Sequence, residues 1–355
     1  MCSIEVVPFQ SKDKWEEIVR SFKEYDVYYL NGYVKAFQIN GDGVPLLFHY
    51  ISDKNRGICV VMKRDIAELS FCMHSIPLDT YFDIITPYGY GGWIFEGEIS
   101  QAELQIFSQV YWDFLCRENI IAEFVRYHPL LMNANYMRSI LPVIDLGTTI
   151  CMKIADPETM WNSITGKNRN VIRKAQKNGV QIYHDKSISI FNEFIKIYNE
   201  TMEHDNADPY YFFGKEFYHS IHNDLYTNYE VFYAVYHDII IAMAIIIYAN
   251  DNMHYHLSGS YSEYRMLAPS NLLLYEAACW GSAKGLKSFH LGGGLGSAED
   301  NLYKFKKAFS NSKKQFSISK RVINEEIYNR IIQLRQKQEP DFNTDSSFFP
   351  LYRTK

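Results

Sequence analysis

The chain has 355 residues, more than one average domain, which suggests two and leaves room for a core that needs no disulfide or metal staple. Hydrophobic residues make up 47% and charged ones 22%, which excludes a disordered chain. The formal charge of −5 excludes a general polyanion-binding surface, so any nucleic-acid or phosphate site must be a local patch. Six scattered cysteines with no CxxC pair read as buried thiols in a reducing compartment. The first residues hold no run of signal-peptide length, and the most apolar stretch, 239–249, is about half a membrane span, so a cytoplasmic location is expected.

In chain order, Ser11-Lys12-Asp13 precedes a short amphipathic helix with Trp15, Ile18, Val19 and Phe22 on one face. Residues 36–39 and 46–51 flank Asn40-Gly41-Asp42-Gly43, which predicts a hairpin. A strand over 57–63, a helix over 104–118 and a buried strand over 121–127 follow. A strand over 149–154 leads to Asp156-Pro157, a capped helix start. A second helix, 168–178, is closed by Gly179. Residues 190–204 form an amphipathic helix, and 231–236 with 239–248 form a hairpin turning at His237-Asp238. A strand over 253–258, a helix over 269–284, a strand over 287–291 and a helix over 300–309 come next. A last helix is expected over 321–338, and the polar end, 341–355, as a loose tail.

Three segments carry chemistry. Residues 165–179 hold Lys167, Arg169, Arg173, Lys174 and Lys177 with no acid; Arg169, Arg173 and Lys177 share a helix face that suits an anion, or equally a solvated surface. Pro87-Tyr-Gly-Tyr-Gly-Gly-Trp93 interleaves glycines with aromatics, as a stacking ligand loop or as a tight turn with core aromatics. Leu291-Gly-Gly-Gly-Leu-Gly-Ser297 precedes a helix in which Phe305 and Phe309 anchor inward and can draw Lys306 toward a cleft; a snorkelling surface lysine is the alternative. It is neither a P-loop nor a GxGxxG fingerprint. His254 and His256 share a strand face with no third ligand in view, so no metal is expected, and Cys279 suits packing.

Together these segments resemble the Fem family, the FemA/FemB/FemX-type peptidyl aminoacyltransferases of the GNAT-like superfamily. The matching parts are Tyr33-Val-Lys35, DIITPYGYGG from Asp83, KNRNVIRKAQKNGV from Lys167, His256-Leu-Ser-Gly-Ser260, APSNLLLYEAA from Ala268, Leu291-Gly-Gly-Gly and Leu302-x-x-Phe-Lys-x-x-Phe309, all in the family's order. No long coiled-coil insertion is present, which is similar to the arm-less FemX type. The resemblance implies an α/β fold with mixed sheets: two tandem GNAT-like acyltransferase domains with a cleft between them. It implies domains over 1–145 and 146–315, and a C-terminal helix, 316–340, returning to the first.

It also implies transfer of an amino acid from aminoacyl-tRNA to an amine of a peptidoglycan precursor stem peptide. No cofactor is expected, no DNA is bound, and a lipid-linked acceptor would bring peripheral membrane contact. Lys306 is implied as the catalytic lysine that stabilises the oxyanion. Lys35, Tyr88, Tyr90, Arg169, Arg173, Lys174, Tyr211 and Tyr255 are implied as substrate-binding. Two departures stand out. Arg265-Met-Leu-Ala-Pro-Ser270 lacks the glycines with which acyl-CoA enzymes cradle pyrophosphate, and Pro269 removes an amide donor. Before Tyr211, where FemX-type enzymes carry a phosphate-gripping arginine, this chain has Asp205, Asn206 and Asp208. The alternatives are an N-acyltransferase using acyl-CoA or an acyl carrier on an amino-sugar or small amine in surface-polysaccharide assembly, and a non-catalytic relative that only binds precursor.

Overall fold

The computed structural model describes residues 2–354. They divide into two compact units, Met1–Leu146 with Phe316–Lys355, and Gly147–Gln315. In chain order the first stretch forms β1 (Ser3–Pro8), α1 (Lys12–Arg20), α2 (Asn31–Ile39), β2 (Val44–Ile51), β3 (Asn55–Asp65), β4 (Phe82–Ile85), β5 (Ile94–Gly97), α3 (Gln101–Arg117), β6 (Ile120–Arg126) and α4 (Ala134–Met137). Strands β1 to β4 pair antiparallel in sequence order, β4 pairs β6 in parallel, and β5 pairs the start of β3. Phe48, Trp93, Phe107, Tyr111 and Phe114 fill the space between sheet and α3. Aromatic rings at this density bury a large apolar area per residue.

Residues 36–39 end α2 and do not form the expected hairpin strand. The Asn40-Gly41 signal is a helix stop. Gly41 has a φ of 90° and its N–H donates to the Gln38 carbonyl at 3.0 Å, while the Asp42 N–H reaches Phe37 O at 3.0 Å. That reciprocal pattern satisfies the last helical carbonyls, and a residue with a Cβ resists the left-handed turn it needs.

The second unit begins within β7 (Ile144–Lys153) and continues through α5 (Pro157–Ser163), α6 (Gly166–Lys177), β8 (Gln181–Asp185), α7 (Ile190–His204), α8 (Lys215–Asp224), β9 (Tyr229–Tyr236), β10 (Ile239–Ala249), β11 (Asn252–Ser260), α9 (Pro269–Ala283), β12 (Ser288–Gly292) and α10 (Asn301–Lys307). Its strands lie in the order β7-β12-β11-β10-β9-β8. The β9–β10 turn forms as the sequence predicts, with His237 and Asp238 both at positive φ (48° and 62°), the geometry that matches strand twist. Ile172 and Ala175 of α6 and Leu272, Leu273 and Ala277 of α9 pack on the β-strand residues Ile246, Phe289 and Leu291.

One feature of this sheet positions the site. Strands β11 and β12 pair in parallel only from Asn252–Ser288 to His254–His290. Beyond that point β11 keeps its pairing with β10 alone, with a bulge opposite Ile245 and Ile246, while β12 stays with β7. Past His254 and His290 the two strands are no longer paired with each other.

The chain then returns to the first unit through β13 (Lys313–Val322), which pairs with β6, and α11 (Glu325–Gln338). The single helix expected over 321–338 is therefore a strand end and a helix, divided where Asn324 caps α11 by accepting from Ile327 N. The end of the chain is also not loose. Tyr352 is fully buried, and both Tyr352 and Arg353 bond to Asp83 on β4. Among the described residues no helix is long and apolar enough to cross a membrane.

Candidate functional site

Lys306 lies on α10, and the Phe305 and Phe309 rings flank it, 5.5 Å apart edge to face. This anchoring turns the lysine inward. It is 8% exposed, and its Nζ donates at 2.6 Å to the carbonyl of Gly293, the residue after β12. The ammonium thus sits at the end of β12 where β11 has parted from it. Burial pulls its pKa down from 10.5 to about 8, with the Asp300 carboxylate resisting the shift. Among the described residues this one carbonyl is its hydrogen-bond partner, which satisfies only part of a three-donor group.

The glycine-rich turn is shaped to hold this arrangement. Asp300 caps α10 by accepting from Tyr303 N at 2.8 Å and also accepts from Leu295 N at 2.9 Å. A Cβ on Gly294 would lie 2.1 Å from Ala298 O and 2.4 Å from the Asp300 carboxylate, so only glycine lets the loop fold over that cap. The other end of α10 is tied to α6. Ala308 O accepts from both Thr165 N and Thr165 Oγ1 at 3.1 Å, and Thr165 caps α6.

On α6 the basic residues fall into two groups. The Arg173 guanidinium stacks over the Trp161 ring at 5.0 Å, and half-buried Arg169 reaches the carbonyls of Trp161 and Asn162 at 3.4 Å. Lys167, Lys174 and Lys177 are exposed. Asn168, 3% exposed on the inner face of α6, accepts from Asn271 Nδ2 on α9 at 2.7 Å and so joins the N-terminal turns of the two helices. The basic pattern points to neither asparagine, although Asn271 lies within the Ala-Pro-Ser-Asn run.

Three of the remaining sequence candidates gather in the first unit. The Tyr88 carbonyl accepts from Tyr33 Oη at 2.7 Å, and the Tyr88 ring stacks on Phe37 at 5.4 Å, both from α2, the helix that carries Lys35. Tyr90 packs edge-on to Tyr28 (5.5 Å) and Phe316 (5.6 Å). Its hydroxyl pKa is raised by burial and by Tyr88, against the charge of Arg126. Asn133 Nδ2 donates to Gly91 O at 2.8 Å, so the loop is held along its length. Arg126, which sequence reasoning missed, is part of this bracing. It is one arginine at a strand end, with no motif around it.

Tyr211 and Tyr255 stay apart from these groups. Tyr211 lies in the turn Pro209–Tyr211 between α7 and α8, with its ring 5.3 Å from Tyr210. Tyr255 lies on β11 one residue past its last pairing with β12, partly buried against the unit's core, with its hydroxyl pKa raised by burial and eased by Ser258.

Comparison with known proteins bears on the fold. Residues 166–307 match the acetyltransferase (GNAT) domain family. No curated protein matches the sequence. The solved structure of FemX superposes with a TM-score of 0.65 at 14% identity, covering 93% of this chain and 99% of FemX. A conserved protein of unknown function from Bacteroides thetaiotaomicron VPI-5482 follows the fold with a TM-score of 0.56 at 11% identity, over 90% of this chain and 99% of that one. The C-terminal domain of a putative lysylphosphatidylglycerol synthetase from Agrobacterium fabrum gives 0.52 at 13% identity, over 87% and 92%. Residues 166–307 thus match the GNAT acetyltransferase domain family, in a chain whose fold is that of FemX.

Proposed function

We propose that this acyltransferase moves an amino acid from aminoacyl-tRNA to an amine of a peptidoglycan precursor stem peptide. The observation that carries the proposal is the buried Lys306 ammonium, held by one carbonyl at the parted strands. An aminoacyl ester is already activated, so the chain needs no nucleophile of its own. The acceptor amine attacks the ester carbonyl, a C–N bond forms, and the C–O bond to the tRNA ribose breaks. The amine's proton ends on the departing hydroxyl. Between these events the carbonyl oxygen carries a negative charge, and a desolvated ammonium beside it is worth far more than one in water. The exposed Lys167, Lys174 and Lys177 suit the phosphates of a tRNA acceptor end. The entry to α9 suits an acyl-CoA donor poorly, because Ala268 occupies the left-handed region and Pro269 offers no amide to pyrophosphate.

The test is reconstitution. Purified protein, a mixture of charged tRNAs and a muramyl-pentapeptide nucleotide are incubated, and the product is weighed by mass spectrometry. Gain of one aminoacyl residue is expected, and acetyl-CoA in place of the tRNA should give none. Acylation from acetyl-CoA, with none from tRNA, would replace this reading by a GNAT enzyme of the ordinary donor class.

A further inference from the structure

Arg126 ends β6 directly beneath the Pro87–Trp93 loop. Its Nη2 donates to Thr86 O at 2.7 Å and to Pro87 O at 3.1 Å, and its guanidinium lies 5.6 Å from the Phe124 ring. Among the described residues its buried Nε has no hydrogen-bond partner. Among the described residues no carboxylate lies within ion-pair distance of it, whereas Arg64, Arg321, Arg335 and Arg353, the other well-buried arginines of this unit, each hold one. A partly buried cation without a counter-charge is costly, and arginine's planar fork is shaped to take two oxygens of one anion. Two neutral carbonyls orient the guanidinium and neutralise none of its charge.

The surroundings fit an anionic ligand. The loop above Arg126 carries Tyr88 and Tyr90, whose rings are fixed against Phe37 and against Tyr28 and Phe316. Through Tyr33 and Phe37 the same loop is fixed to the helix that bears Lys35. We infer that Arg126 is a substrate-binding residue, whose guanidinium grips an oxyanion of the acceptor, a phosphate or a carboxylate, at the Tyr88–Tyr90 loop. This rests on the acceptor reading above, since a precursor carries both groups: phosphates at its nucleotide or lipid end and a carboxylate at its peptide end.

Binding to the full chain can be measured with no donor present, which separates this inference from the transfer reaction. Calorimetric titration with uridine diphosphate tests the phosphate source, and N-acetyl-D-alanyl-D-alanine tests the carboxylate source. One of the two should bind saturably. Arg126→Gln, which keeps a polar amide and loses both the charge and the fork, should weaken that probe at least ten-fold while the unfolding midpoint stays near the parent's. Arg126→Lys, which keeps the charge and loses the fork, should fall between them, and it serves as the reading variant if the glutamine form does not fold. The inference is overturned if neither probe binds at millimolar concentration, or if the glutamine or lysine form binds as the parent does. Binding through Arg126 in a protein that transfers no aminoacyl group would leave this inference standing and sink the proposed donor.

Discussion

Lys306 gives up stability for its position, and the sign of that cost can be worked out. Its pKa is near 10.5 in the unfolded chain and about 8 in the folded one. Between those values the unfolded state holds the proton more tightly, so stability rises with pH across that window and the full cost applies below about pH 8. A drop of that size corresponds to about 3 kcal/mol. Lys306→Met keeps an apolar stem beside Phe305 and Phe309 and loses one hydrogen bond, worth about 1 kcal/mol. The variant should therefore be more stable than the parent by about 1–3 kcal/mol at pH 7, with the gain fading toward pH 10, as urea titrations at several pH values would show. Its kcat should fall by roughly 10²–10³. The parent's rate should also decline as pH rises through about 8, when the ammonium is lost, and the variant should lack that limb. A destabilised variant with full activity would make Lys306 a packing residue. Phe-Lys-x-x-Phe made this residue legible, because two aromatics at i, i+4 dictate which way their neighbour turns. Arg126 was not legible, because its role comes from a missing counter-charge, and only the fold reveals which carboxylates are near.

At the scale of elements, helices and strands with a clear period or an unambiguous cap appear where the sequence puts them. Asp156 caps α5, Gly179 follows α6, and α7 spans the residues its apolar face predicts. The misreadings have physical causes. Asn-Gly signals a left-handed turn, which ends a helix as readily as it joins two strands, and residues 36–39 carry too few side chains to decide between them. β13 was hidden because its alternation is masked by lysines and serines, and its partner β6 lies about 190 residues away in sequence. The basic face of α6 is partly engaged, since Arg173 stacks on Trp161. If this helix meets tRNA, replacing Arg169, Arg173 and Lys177 by Gln should lower affinity. It should also flatten the log–log salt dependence by roughly 0.7–0.9 for each phosphate no longer neutralised. Fluorescence titration of labelled tRNA across a potassium chloride series measures the slope. An unchanged slope would leave α6 as a solvated surface.

For the whole molecule, the decisive point is that the first unit is built from both ends of the chain. β13 completes its sheet, and Ile327, Tyr328, Ile331 and Tyr352 enter its core beside Ile121 and Ala122. The closing contact is electrostatic. Asp83, fully buried, accepts from Arg64 Nε and Arg353 Nε at 2.6 Å and from Tyr352 Oη at 2.9 Å. Burial alone would raise its pKa, but the two guanidinium charges reverse that and hold the carboxyl below its ordinary value. A depressed acid contributes stability above its unfolded pKa, near 3.8, and loses it as pH falls through the folded value. Arg353→Ala removes one of the two cations and leaves Arg64 in place. The cost should therefore lie below the 3–5 kcal/mol of a fully orphaned buried charge, at about 2–3 kcal/mol. The acid-unfolding midpoint should move to higher pH, because the carboxyl takes up its proton sooner. Asp83→Asn in the same background should recover part of the loss by removing the charge left without its second partner. Because the Arg353 side chain bonds to Asp83 and Asp65 of the first unit, denaturation followed by tryptophan fluorescence should separate into two steps in the variant, with Trp93 in the earlier one and Trp161 and Trp280 in the later. A single unshifted transition in Arg353→Ala would show that the C-terminal residues contribute nothing to holding the unit together.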